Sequence, residues 1–267
     1  MNASLFHDTM LTMKWPDIVR FAAEDAVVLI PAGVVEEHGP HLCLGTDIFT
    51  AHLQCLAVRD LLARSGHSAV LAPPFYWGVC QSTGGFPGSF AIRRETATAL
   101  LFDLIASLEG FGFRQAVVVN AHGDIEQHLA ITDACRQAAE RLSIRARYAF
   151  PEDRLHHYGL TGAEPYLCPV APSPRQYGDM QAPDVHGGDI ETAMMHTCDP
   201  VCADTGLAST LEPVVVPGER IMDWLFGGHT AELSSNGYVG APARYAAVDV
   251  QALLADTAQR IRDAILA

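Results

Sequence analysis

The sequence predicts an α/β fold of three layers, in which a mostly parallel central sheet lies between two layers of helices. Short apolar runs alternate with helical patterns along most of the chain, and this alternation is typical of parallel sheets that are covered on both faces. The chain has 267 residues, which is near the upper limit for one hydrophobic core. We therefore expect a single domain over residues 1–267.

The predicted elements follow one another in a regular order. Three apolar runs have the length of strands, at residues 26–31, 69–75 and 116–119. Helical patterns follow at residues 48–64, 95–111, 125–142 and 250–266. In the second of these, Leu101, Ile105 and Leu108 are among the apolar residues that recur at steps of three and four.

Two segments interrupt this alternation. Residues 78–89 are rich in glycine, serine and threonine and are predicted to form a loop. Residues 151–185 contain many prolines, glycines and tyrosines without a clear period. Because long loops inside compact domains usually have a function, we expect this segment, with His156 and His157, to act as a lid or a subunit contact.

Charge and cysteine content exclude several classes of protein. The formal net charge of -14 argues against binding to nucleic acid, which needs Lys and Arg to neutralise phosphates, and against an anionic membrane surface. The seven cysteines are scattered, with no Cys-x-x-Cys pair, so neither a disulfide framework nor a zinc ribbon is indicated. Residues 1–21 lack the pattern of a signal peptide. We expect a cytoplasmic protein that acts on a small molecule.

The first cluster of candidate metal ligands follows the strand at 26–31. Glu36 and His38 are two residues apart, so in extended backbone both side chains face the same way. Asp47 follows nine residues later, and its two oxygens can bridge two cations of the kind found in hydrolases. The alternative is that Glu36 and His38 form a solvated strand end and that Asp47 caps the next helix.

A second and a third cluster strengthen the metal hypothesis. His122 and Asp124 follow the strand at 116–119 in the same pattern, although a core histidine and a helix cap are the alternatives. His186 and Glu191 lie at what is predicted to be the start of a helix. An imidazole titrates near neutral pH, so His186 is a candidate acid and base; the alternative is a loop histidine bonded to its neighbours.

Taken together, these motifs resemble those of the creatininase (creatinine amidohydrolase) family. The matching segments, in the family's order, are 36–41 (EEHGPH), 45–47 (GTD), 86–88 (FPG), 120–123 (NAHG), 186–192 (HGGDIET) and 236–242 (NGYVGAP). The resemblance implies a creatininase-like three-layer fold, two divalent metal ions and hydrolysis of cyclic or formyl amides. The metals are zinc, often with manganese, and iron is also compatible with these ligands. It further implies a homo-oligomer, commonly a hexamer.

The resemblance also assigns roles to individual residues. Glu36, Asp47 and His122 are expected to bind one metal, and His38 and Asp47 to bind the other with one more carboxylate. That carboxylate is either Asp124 or Glu191, with a slight preference for Asp124. His186 and Glu191 are the candidate catalytic residues. The candidate substrate contacts are Ser82, His41, Gly123 and His186.

The predicted activity is metal-dependent hydrolysis of a C–N bond in a small cyclic amide or formamide by a metal-bridging water. Creatininase closes tryptophans over its substrate, but the matching segment 150–185 contains none, so creatinine is a poor candidate. Two alternatives stay open at this point. One is a peptidase of the type that trims the mycofactocin precursor, and the other is a non-catalytic metal-binding scaffold of the same fold.

Overall fold

A central sheet of five strands organises the molecule. The computed structural model describes residues 7–220 and 230–267. The strands are β1 Val27–Ala32, β2 Ala69–Leu71, β3 Gln115–Asn120, β4 Arg145–Pro151 and β5 Leu167–Val170. Their spatial order is β2-β1-β3-β4-β5, and every neighbouring pair is parallel. The predicted parallel α/β sheet is thereby confirmed.

Helices connect the strands and cover both faces of the sheet. The α-helices are α1 Trp15–Ala23, α2 Thr46–Arg64, α3 Arg94–Gly110, α4 Ile125–Arg141, α5 Asp189–Cys198, α6 Thr205–Ala208, α7 Thr230–Leu233 and α8 Val250–Leu266. In the described residues, no helix is both long enough and apolar enough to cross a membrane.

The two faces of the sheet have separate cores, because successive side chains of a strand point to opposite sides. On one face Val28 and Ile30 of β1 belong to a core that includes Leu101 and Ile105 of α3. On the other face Val27 and Leu29 pack in a core with residues of α2 and α8. The three predicted layers are therefore α1, α3 and α4, then the sheet, then α2 and α8.

Most predicted elements lie within two residues of the observed ones, but three differences matter. The strand predicted at 69–75 ends at Leu71, before two prolines that lack the N–H a ladder needs. Strand β4 is missing from the predicted elements. It begins with an arginine at 145 and contains Arg147, which is buried and donates from Nη2 to the carbonyl of Ile265 at 2.9 Å.

The third difference concerns the predicted loop at 151–185. Within it lie a short 3-10 helix, Glu152–Tyr158, and the edge strand β5. Strand β5 contains Pro169, which is tolerated at the edge of a sheet because the outer side needs no donor. The segment is therefore partly regular, and its 3-10 helix directly follows the carboxyl end of β4.

Strand register brings the predicted polar clusters together. The last residue of β1, Ala32, pairs with the last residue of β3, Asn120. Since both strands run the same way, the segments that follow them leave the sheet side by side. Residues 33–47 and 121–124 thus begin at the carboxyl ends of neighbouring parallel strands, where ligands bind in folds of this type.

Candidate metal centre

Glu36 and His122 meet where the segments after β1 and β3 leave the sheet. Both side chains are buried, and Nδ1 of His122 lies 2.8 Å from Oε1 of Glu36. The other carboxylate oxygen of Glu36 accepts hydrogen bonds from the Thr83 hydroxyl and, at 3.2 Å, from the Cys80 thiol. Those two donors fix the carboxylate, so Oε1 stays directed toward His122.

Asp47 lies between two histidines at the start of helix α2. Its Oδ1 is 3.2 Å from Nε2 of His38, and its Oδ2 is 3.0 Å from Nδ1 of His122. Gly33 permits this position, because a Cβ there would lie 2.8 Å from Cβ of Asp47 and 2.9 Å from the backbone N of Ile48. Helix α2 can therefore approach the end of β1 closely enough for Asp47 to reach both histidines.

Glu191 approaches His38 from the first turn of helix α5. Its Oε2 lies 3.8 Å from Nε2 of His38 and accepts a hydrogen bond of 2.6 Å from the backbone N–H of Gly187. Gly187 has a φ of +61°, and a Cβ there would lie 2.8 Å from the carbonyl oxygen of His38. Glycine at this position thus allows the third cluster to pack directly on the first.

These contacts define two overlapping sets of ligand atoms. In one set, Nδ1 of His122 lies 2.8 Å from Glu36 and 3.0 Å from Asp47. The other set consists of His38, Asp47 and Glu191, whose ligand atoms lie within 4.8 Å of one another. Asp47 contributes one oxygen to each set. Carboxylate oxygens and imidazole nitrogens suit zinc, manganese and iron.

The charges of the cluster also fit cations. Burial lowers the pKa of His38, but the carboxylates of Glu191 and Asp47 outweigh it and hold the pKa well above its ordinary value. Burial also lowers the pKa of His122, but the carboxylates of Glu36 and Asp47 outweigh it and hold this pKa well above its ordinary value. Oδ2 of Asp47 is buried and faces Nδ1 of His122 at 3.0 Å. Three buried or half-buried carboxylates thus attract positive charge to this cluster.

His186 lies beside this cluster in a fixed orientation. One ring nitrogen, Nε2, donates to the carbonyl of Glu37 at 2.7 Å, and the ring lies 4.1 Å from that of His38. A carbonyl oxygen only accepts, so Nε2 carries the proton in the neutral ring. The other nitrogen, Nδ1, therefore presents a lone pair on the side of Glu36, whose Oε1 is 3.9 Å away.

Asp124 has a different environment from Asp47. Its Oδ2 accepts hydrogen bonds from the backbone N–H groups of Gln81 and Ser82 at 2.7 and 3.1 Å, and its Oδ1 accepts one from Glu126 at 2.8 Å. Asp124 therefore caps helix α4 and holds the loop at 81–82. This geometry favours Glu191 as the remaining ligand, whereas the motifs alone led us to expect Asp124 slightly more.

The candidate substrate contacts separate into two groups. Gly123 and His186 line a cavity next to the cluster, but His41 and Ser82 are not among its lining residues. The ring of His41 instead bonds through Nε2 to the Thr192 hydroxyl at 2.9 Å. Burial, with the nearby His38, lowers the pKa of His41 to about 4, so this ring is neutral near pH 7. These geometries give His41 a structural contact within the fold.

The cavity has a volume of about 520 Å³ and reaches from the cluster to the end of β4. Its lining also includes residues that the sequence analysis did not select: Asn120, His128, Arg154, Tyr158 and Asp184. His128 belongs to no motif, and Arg154 lies in the segment predicted as a loop, so neither carried a recognisable signal. Only their position in the fold brings them to the cavity.

Comparison with known proteins identifies the family of the chain. Residues 11–265 match the family model Creatininase: Creatinine amidohydrolase. The chain belongs to the creatininase family. A creatinine amidohydrolase of Pseudomonas putida is 26% identical over 211 residues, 77% of each chain. A mycofactocin precursor peptide peptidase of Mycolicibacterium smegmatis is 27% identical over 242 residues, 90% of this chain and 84% of that protein.

The fold of the creatininase family is also recognised from solved structures. A structure of creatininase with Mn has a TM-score of 0.69 to this chain at 22% identity, and the match covers 97% of both chains. The resemblance inferred from the motifs is therefore confirmed, and so is the creatininase-like three-layer fold. The chain has the architecture of a family of hydrolases.

Proposed function

We propose that this chain is a dinuclear metal-dependent amidohydrolase that cleaves a C–N bond in a small cyclic amide or formamide. The position of Asp47 is the observation that carries the proposal. Its two oxygens face two different histidines at 3.2 and 3.0 Å, which is the arrangement expected of a carboxylate that bridges two cations. A site for one cation has no need of a second oxygen directed at a second histidine.

Glu36, Asp47 and His122 would hold one cation, and His38, Asp47 and Glu191 the other. Zinc and manganese are the first candidates, and iron also suits these donors. When bound, such cations supply an ionised water near neutral pH and polarise a carbonyl oxygen.

His186 is the residue that we assign to proton transfer. The carbonyl of Glu37 fixes its ring through Nε2 at 2.7 Å, and we assign the proton transfer to the other ring nitrogen, Nδ1. His186 lines the cavity together with Glu191. After accepting the proton of the attacking water, the same nitrogen can deliver it to the leaving nitrogen of the substrate.

The cavity wall supports a substrate other than creatinine. The chain has three tryptophans, none of them in the segment 150–185. Instead of tryptophans, this segment contributes Arg154, His157 and Tyr158 of the 3-10 helix to the cavity lining. A cationic and hydrogen-bonding wall suits an acidic substrate better than creatinine, whose ring carries no negative charge.

Peptide hydrolysis at the same centre is the second candidate. The peptidase relative from Mycolicibacterium smegmatis matches 90% of this chain, compared with 77% for the creatinine amidohydrolase. The chemistry of amide cleavage is shared between the two, so only the substrate distinguishes them. A peptide panel therefore belongs in the test.

The test combines metal content with turnover. We expect the purified protein, reconstituted with zinc or manganese, to contain close to two metal ions per chain by elemental analysis. It should hydrolyse at least one member of a panel of creatinine, cyclic amides, formamides and short peptides. The variant Asp47→Asn should retain fewer than one ion and lose turnover. Two ions and full turnover in this variant would contradict the bridging role.

A further inference from the structure

His128 lines the cavity from helix α4, six residues after the proposed ligand His122. The residue is 3% exposed. Its Nδ1 is 2.7 Å from the hydroxyl of Tyr148, and that hydroxyl accepts a hydrogen bond of 3.2 Å from Nδ2 of Asn120. Since the amide of Asn120 donates to Tyr148, the phenolic hydrogen is directed at Nδ1 of His128.

It follows that the proton of His128 is on its other nitrogen. A neutral imidazole has one donor and one acceptor, so Nε2 carries the hydrogen. Nε2 is buried and has no hydrogen-bond partner among residues 7–220 and 230–267. Burial, with the charges of Arg154 and His122, lowers the pKa of His128 to about 3, so the ring stays neutral and keeps this tautomer. A buried donor without a partner is costly unless a ligand completes it.

Arg154 provides a second donor on the same wall. It lies on the 3-10 helix that follows β4 and lines the cavity with His128 and Tyr158. Its positive charge contributes to lowering the pKa of His128, after the effect of burial. In the described part of the chain, Arg154 forms no ion pair, although Glu152 and Asp153 are its neighbours in sequence.

The cavity is lined by groups of opposite charge. Its lining includes the carboxylates of Glu36, Asp47 and Glu191 as well as Arg154 and His128. Gly123 leaves part of the wall open, since a Cβ there would meet no atom within 4 Å. A molecule in this cavity can therefore meet both kinds of group.

We propose that Arg154 and the Nε2–H of His128 form a subsite for a carboxylate of the substrate. This proposal rests on the proposed function and narrows its substrate class to acidic amides, in which a carboxylate is carried beside the scissile C–N bond. One full positive charge and one neutral donor match the single charge and two oxygens of a carboxylate. A phosphate dianion would leave one of its two negative charges unpaired here.

The test uses the zinc-loaded protein and three hydroxamates, whose two oxygens chelate divalent cations. Acetohydroxamate reports on the metal centre alone. Succinic acid monohydroxamate and its neutral analogue, succinamide monohydroxamate, differ only in the charge of the tail. Titration calorimetry gives the Kd of each. We expect the acid to bind about tenfold or more tightly than the amide, since hydrogen bonds to charged groups exceed those to neutral ones by about this factor.

Substitutions test whether Arg154 is the residue that makes the acid bind more tightly than the amide. In Arg154→Gln we expect the acid and the amide to bind about equally, with the Kd of acetohydroxamate unchanged. Arg154→Lys should keep part of the preference, because lysine retains the charge but not the planar pair of donors. Arg145→Gln is the matched control, because it also removes one arginine. Arg145 is the first residue of β4, and at a rise of about 3.3 Å per residue it lies about 20 Å from the other end of that strand. This variant should keep the full preference for the acid.

The outcomes separate the two proposals. If the wild-type protein binds acid and amide equally, or if Arg154→Gln keeps the preference, the carboxylate subsite is overturned while the metal centre stands. If acetohydroxamate does not bind and no zinc is retained, the proposed function is overturned, and the subsite with it.

Discussion

The exchange of one acid for its amide at two positions distinguishes a metal ligand from a helix cap. Asp124 and Glu191 are the two candidates for the last ligand, and each lies at the start of a helix. Asp124→Asn and Glu191→Gln both remove one charge and preserve the shape of the side chain. The structure predicts opposite consequences, with lower stability for the first variant and lower metal content for the second.

The size of the stability effect follows from the contacts of Asp124. Its carboxylate accepts three backbone hydrogen bonds, from Gln81, Ser82 and Glu126. An amide has one acceptor oxygen, so the helix cap is lost at about 1 kcal/mol. The two bonds from the loop become bonds to a neutral acceptor and lose about 0.5 kcal/mol each. The free energy of unfolding should therefore fall by about 2 kcal/mol, which lowers Tm by roughly 4–8 °C in a chain of this size.

Glu191→Gln should instead lower the metal content and leave the stability nearly unchanged. In the described residues, its carboxylate accepts a hydrogen bond from the N–H of Gly187. The amide oxygen can keep this bond, so the stability of the metal-free protein should change by less than about 0.5 kcal/mol. The substitution removes one negatively charged ligand of the cation that we propose His38 to bind. We expect metal content to fall from close to two ions per chain to close to one.

Metal content by elemental analysis after dialysis and thermal unfolding of the metal-free proteins check both expectations. Wild-type protein sets the reference for each measurement. Two ions in Glu191→Gln together with one ion in Asp124→Asn would refute the reasoning and restore Asp124 as the ligand. A Tm of Asp124→Asn equal to that of the wild type would show that its three hydrogen bonds are worth less than the geometry implies.

Two further predictions concern the pH dependence of stability and the approach of helix α2. The pKa of His128 is lowered from 6.5 to about 3 in the folded protein. As the pH falls below about 6.5, this histidine is therefore protonated in the unfolded chain before it is protonated in the folded one. Its contribution should lower the free energy of unfolding by up to about 1.4 kcal/mol for each pH unit. Denaturant unfolding of the metal-free protein should show a shallower dependence in His128→Gln, and equal slopes would contradict the assignment. Gly33→Ala should cost about 1–3 kcal/mol through overpacking and weaken metal binding about 10–100-fold, because its Cβ would press on Asp47. Gly110→Ala, where a Cβ meets open space, is the control in thermal unfolding and metal titration, and an equal effect of both substitutions would exclude the proposed contact.

Much of the fold was predictable because its signals are local. Apolar runs and helical periods located β1, β3 and four of the helices within two residues. Strand β4 was not predictable, since its first residues include arginines 145 and 147, and the second of them is buried only because helix α8 ends beside it and offers the Ile265 carbonyl. That compensation comes from a residue far away in the sequence. A homo-hexamer and a cytoplasmic location stay predictions.

For the site, local patterns were enough to select Glu36, His38 and His122, because parallel strands deliver such residues to one end of a sheet. His186 was selected from the motif that precedes a predicted helix. Separating Asp124 from Glu191 requires the packing of the loops. Backbone N–H groups donate to both oxygens of Asp124, whereas the bond from Gly187 involves one oxygen of Glu191, so Glu191 is the ligand that we propose. Which N–H groups surround a side chain depends on how distant loops pack, and no spacing in the sequence records it.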